Sequence, residues 1–138
     1  MEIILNLTQH KSTQNQNCID LVGPDLELLK ALLAFNEMPS RAEINQRAAK
    51  IAALCLEVAQ EAFRQMHDMD IETVDCNYCE FAAMIGGAPF LMSALESALL
   101  KAGIKPCYAF SRRESVEKEV DGKVIKTAVF NHVGFVDA

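Results

Sequence analysis

Three clusters of polar or glycine residues each follow an apolar run in this sequence. They are Asn6, Thr8, Gln9 and His10; then Gly86, Gly87 and Ala88; then Ser111, Arg112, Arg113, Glu114 and Ser115. A neutral imidazole at His10, among amides and hydroxyls, could position or deprotonate a hydroxyl. It could equally be a surface histidine bound to a loop carbonyl. Gly86-Gly87 lets a backbone approach a ligand closely, and Pro89 suits the first turn of a helix whose free N–H groups would favour an anion. The plain alternative is a tight strand-to-helix turn. The sequence here is neither G-x-x-x-x-G-K-[ST] nor G-x-G-x-x-G. Arg112 and Arg113 could clamp a phosphate, but strand alternation sends their side chains to opposite faces. Ion pairs with Glu114 or Glu117 would use them otherwise. No G-x-S-x-G marks a hydrolase nucleophile.

The remaining reactive residues point less far. Cys76 and Cys79 form a lone C-x-x-C, "CNYC", with His67, Asp68, Asp70 and Asp75 nearby. A zinc site normally needs a second pair of ligands, so the pair is read as structural and no metal is expected. Cys55, Cys79 and Cys107 sit in or beside apolar stretches, where cysteine acts as a small hydrophobe. His132 reads as structural or as an edge of the same site. Nothing in the sequence supports a stably bound cofactor.

The elements that must position these residues follow from periodicity. "EIILNLT" reads as a buried strand and "QHKSTQNQN" as a surface loop. "VGPDLELLKALLAFNEMP" is a helix with Pro24 in its first turn and a stripe of Leu28, Leu29, Leu32 and Leu33. Ser40 and Glu43 form a capping box. Behind it Ile44, Ala48, Ile51, Cys55, Val58, Ala62 and Met66 predict one helix over 40–66. A strand at 80–85, a helix over Ala88–Ala102 ended by Gly103, and a strand at "PCYAFS" come next. Asp121-Gly122 then predicts a hairpin in which Glu117 faces Lys126, and "HVGFV" a short last strand. The expectation is one α/β domain over residues 1–138: three-layered and Rossmann-like, with a mainly parallel sheet and a C-terminal antiparallel β-hairpin. Ligands of such sheets bind outside the carboxyl ends of the strands, where all three clusters fall.

Bulk properties narrow the function. The chain has 138 residues and a formal net charge of −6. That charge argues against gripping duplex nucleic acid through its backbone, but leaves room for a small anionic ligand. No apolar run is long enough to span a bilayer, so no membrane partner is expected. The N-terminus lacks a basic region and a cleavage site, which with five cysteines suggests the reducing cytoplasm.

The order of elements, with "NLTQH" after the first strand and "IGGAPFLMSALESALLKAGI" later, resembles CRISPR-associated Rossmann-fold (CARF) domains and the small ring nucleases related to them. The resemblance implies a homodimer whose two crevices meet across a two-fold axis and hold a cyclic oligoadenylate, in antiviral defence. It implies ligand contacts from Thr8, Gln9, His10, Gly86, Gly87 and Ala88. It also implies metal-independent cleavage, with His10 as base and Arg112 or Arg113 on the phosphate. The chain departs from that pattern in its helix pair, in its long hairpin and in having no effector domain after it. Two other readings stay open. One is a non-enzymatic α/β interaction protein that dimerises or docks through the 40–66 helix or the hairpin. The other is an enzyme acting on a small anionic metabolite.

Overall fold

A computed structural model describes residues 2–68 and 80–138. The elements are β1 (Glu2–Asn6), β2 (Ile19–Asp20), α1 (Gly23–Leu33), α2 (Arg41–Asp68), β3 (Glu80–Met84), α3 (Pro89–Lys101), β4 (Ile104–Val120) and β5 (Lys123–Asp137). They build an α/β fold around a five-stranded sheet of order β2-β1-β3-β4-β5. The first four strands are parallel and β4–β5 is antiparallel, as the sequence predicts. The short β2, paired to Leu5 and Asn6, falls in a stretch whose two residues give no periodic signal.

The helices start and stop for local reasons. Ser40 Oγ accepts the Glu43 N–H at 3.1 Å, so half of the expected capping box is present. Glu43 instead turns its carboxylate to Arg47, 2.9 Å away. Arg47 lies over the Phe35 ring and donates to the carbonyls of Ala31, Leu32 and Ala34. It thereby caps the C-terminus of α1 with a charge from α2.

One apolar cluster joins Leu29, Leu32 and Leu33 of α1, Ile44, Ala48, Ile51 and Cys55 of α2, and Leu91, Leu95 and Leu99 of α3 to Ile3, Leu5, Ala83 and Ile104 of the sheet. The expected stripes are therefore mostly buried, with Val58 and Ala62 half-buried and two residues exposed. Leu28 is exposed, and so is Met66 in the last turns of α2. A helix of 28 residues is about 42 Å long, more than a body of this size can cover.

The largest departure from the sequence reading concerns β4. The polar cluster Ser111–Ser115 does not end a strand; it lies inside one of 17 residues. Only Ile104–Cys107 pair with β3. From Tyr108 onward β4 has β5 as its ladder partner, around a turn in which Asp121 (φ 53°) and Gly122 (φ 76°) take the left-handed conformation expected of Asp-Gly. Glu117 and Lys126 are directly opposite, 3.9 Å apart. The β4–β5 ribbon thus projects beyond the carboxyl edge of the parallel sheet as an arm.

Candidate functional site

The parallel register builds a crevice at that edge. Asn6, Met84 and Cys107 stand in one row across β1, β3 and β4. Two residues further along each chain segment come Thr8, Gly86 and Ala109, which the pleat returns to the same face. The ladder continues into the loops: Leu7 N–H donates to the Met84 carbonyl and Ile85 N–H to the Cys107 carbonyl, both at 2.9 Å. These bonds fix the loop backbones next to the crevice. It has a volume of about 560 Å³, and its walls include Thr8, Gln9, His10, Lys11, Gly86, Gly87 and Ala88.

Asn6 organises the first wall and is itself buried. Its Oδ1 accepts the Thr8 N–H at 2.9 Å and the Thr8 hydroxyl at 2.6 Å. Its Nδ2 donates to the His10 carbonyl at 2.6 Å and to Asp20 Oδ1 at 2.9 Å. All of its polar capacity is spent within the protein, so Asn6 shapes the loop rather than touching a ligand in the crevice. Asp20 also accepts the Ser12 N–H at 3.1 Å. Burial pushes its carboxyl pKa up, but the bonds from Asn6 and Ser12 and the charge of Lys11 outweigh burial and hold it below its ordinary value. The backbone of His10 is thus anchored while its side chain stays exposed at the crevice. The bond to the loop is made by the His10 backbone carbonyl and leaves the imidazole at the crevice.

The second wall is the turn into α3. Gly87 has φ of 142°, a conformation that L side chains rarely adopt. At Gly86 a Cβ would stand 3.4 Å from the Thr8 methyl, in contact with the first wall. Ala88 caps α3 with no side-chain bond, Pro89 opens it, and its first turn holds no acidic residue. The positive end of the helix dipole is not neutralised by a neighbouring carboxylate. Tyr108 closes the third side; its hydroxyl donates to Glu96 at 2.6 Å. Burial, with the Glu96 carboxylate, pushes the phenol pKa up to about 12.

The structure therefore brings Thr8, Gln9, His10, Gly86, Gly87 and Ala88 to one crevice and places Asn6 just behind it. Ser111, Arg112 and Arg113 are not among its lining residues. They pair with His132, Asn131 and Phe130 out on the arm, and three residues past Ala109 is about 10 Å. The expected meeting of His10 with an arginine does not occur within one chain. Lys11, Thr13, Gln16, Tyr108 and Ala109 line the crevice without having been singled out. Their only signal was position: four flank the first strand's polar cluster or end "PCYA", and a loop such as "KSTQNQ" has no period to read.

Other reactive or aromatic residues fall away from the crevice. Phe90 of α3 stacks edge-on to Phe35 with centroids 4.9 Å apart. His132 packs against Phe135 on β5. Burial raises the Cys55 thiol pKa to about 12, and those of Cys18 and Cys107 to about 11. These three are poor nucleophiles, as expected for Cys55 and Cys107 in their apolar stretches. The Cys76/Cys79 pair lies outside the described residues. No described helix is long and apolar enough to cross a membrane.

A family model, that of the uncharacterized protein MJ1673 family, matches residues 2–136. No curated protein and no solved structure matches the chain.

Proposed function

The chain belongs to the MJ1673 family, and from its own site we propose that it binds a small anionic ligand of the cyclic oligonucleotide class, a cyclic oligoadenylate, and cleaves it as a ring nuclease. One observation carries the reading. In a chain of net charge −6, the crevice at the carboxyl edge has no Asp or Glu among its described lining residues and has Lys11. To this it adds a helix start without acidic neighbours, a close-approach glycine pair, and an exposed imidazole. The volume of about 560 Å³ suits one small-molecule ligand. A ring of several nucleotides exceeds it and calls for two crevices facing each other across a homodimer.

The chemistry needs only the ligand and these residues. A ribose 2′-hydroxyl attacks the adjacent phosphorus. The new O2′–P bond forms as the P–O5′ bond breaks, leaving a 2′,3′-cyclic phosphate and a 5′-hydroxyl. His10 takes the 2′ proton and returns it to the departing 5′ oxygen. Lys11 and the backbone N–H groups at the start of α3 offset charge growing on the non-bridging oxygens. The test is incubation with a panel of cyclic oligoadenylates without added metal, read by chromatography. Linear products with 2′,3′-cyclic phosphate ends are expected, and His10→Ala should lower turnover about 10²- to 10⁴-fold. A rise in Tm without products would make the protein a sensor of such rings. No product and no rise with any ring would overturn the reading.

The exposed apolar side chains of the arm favour a second role beside this one, that of a module that dimerises or docks on a protein.

A further inference from the structure

Between Ala109 and Asn131 every residue is exposed except Val116, which is half-buried. The arm nevertheless carries Phe110, Val120, Val124, Ile125, Val129 and Phe130, each at least 40% exposed. A two-stranded ribbon is marginal in water by itself, and this one has long unpaired edges and apolar side chains on both faces. Its two strands call for a cover that the described residues of their own chain do not supply.

We propose that the arm is a clasp that lies along the body of a second copy of this chain. Three observations select that occupant. First, the arm and the crevice share an edge: Tyr108 and Ala109 line the crevice and are the first residues of the arm. Whatever covers the inner side of the arm also sits over the crevice mouth. A two-fold axis there sets crevice against crevice with one arm on each flank. Second, charges complement. Residues 108–130 hold five Lys and Arg against four Asp and Glu, a net +1, so the chain's −6 leaves −7 on the rest. Third, the dimensions agree. Thirteen residues of strand span about 40 Å, and a body of this size is about 35 Å across. One ribbon face of about 40 by 10 Å, given by each chain and received by each, covers roughly 800 Å² per partner, the size of a stable interface. Arg112 and Arg113, about 10 Å beyond the crevice of their own chain, then stand at the shared mouth. That last placement rests on the anion reading of the crevice; the clasp itself does not.

The experiment therefore needs no ligand. Sedimentation equilibrium of the full chain at tens of micromolar should give about twice 15.2 kDa. A Val129→Glu/Phe130→Glu double variant should sediment as a monomer with an unchanged circular dichroism spectrum, since both side chains are already exposed within the chain. Hydrogen exchange on the wild-type protein gives a readout that needs no variant to fold. Amides 110–131 should gain protection as concentration rises through the dimerisation range. A wild-type monomer, a double variant that stays dimeric, or an arm whose exchange ignores concentration would each overturn the clasp, whether or not cyclic oligoadenylates bind.

Discussion

β4 changes character along its length. From Ile104 to Cys107 it pairs with β3, and Ile104, Pro106 and Cys107 are buried. From Ala109 to Val120 it is half of a bare ribbon, with charges from Arg112 to Glu119 and almost no burial. The first half belongs to a body that closes on itself. The second half does not, and the crevice lies where the two meet. A body that buries its own apolar surface sets where the site is. An arm that does not implies that the site is completed by something else.

Substitutions can sharpen that contrast. Leu95 is fully buried on α3, so Leu95→Ala should lower unfolding stability by about 2–5 kcal/mol. The same truncation at Phe130 should cost less than about 0.5 kcal/mol in the monomer, because its side chain is 68% exposed. Urea denaturation of the two variants under monomeric conditions compares body with arm. Equal losses would show that the arm packs on its own body.

The next largest effect concerns the loop that carries His10. Asn6→Ala leaves the Thr8 hydroxyl, the His10 carbonyl and Asp20 without their shared partner. It should cost about 1–3 kcal/mol. It should also weaken ligand binding more than Gln9→Ala, which removes a wall residue without disturbing the loop. Gly87→Ala forces a side chain onto φ of 142° and should cost about 1–3 kcal/mol, while the same change in Gly134 of β5, which has open space around it, should cost less.

The smallest effect is one of pH. Asp20 has a lower pKa in the folded protein than when unfolded, so its contribution is whole above the unfolded value. It is lost as pH falls through the lowered folded value. Stability measured down through the acidic range should therefore decline less steeply in Asp20→Asn than in wild type. Identical profiles would mean that the loop does not depend on the charged form.

Much of this was legible in the sequence, for reasons that differ by region. Ser40 with Glu43, and Asp121-Gly122 with Glu117 and Lys126, are short-range signals that need no tertiary context. The parallel strands other than β2 announced themselves as apolar runs, and placing ligand chemistry at their carboxyl ends located Thr8, Gln9, His10 and the glycine pair. The hairpin was legible, but its continuity with the strand at "PCYAFS" was not, because a ribbon exposed on both faces has no period-two pattern of burial. Ser111–Ser115 therefore looked like the end of a strand. That misplaced end is why Arg112 and Arg113 were expected in the crevice. Lys11 and Gln16 carry no signal apart from the fold that turns their loop toward Gly86.

The most direct test of the crevice is a calorimetric titration of the wild-type protein with cyclic oligoadenylates of several ring sizes. The account requires saturable binding of at least one ring, at one ring per two chains. That binding should weaken with added salt and fall in Lys11→Ala. Failure of every ring to bind would contradict the crevice as a cyclic nucleotide site, and binding at one ring per chain would contradict a shared one.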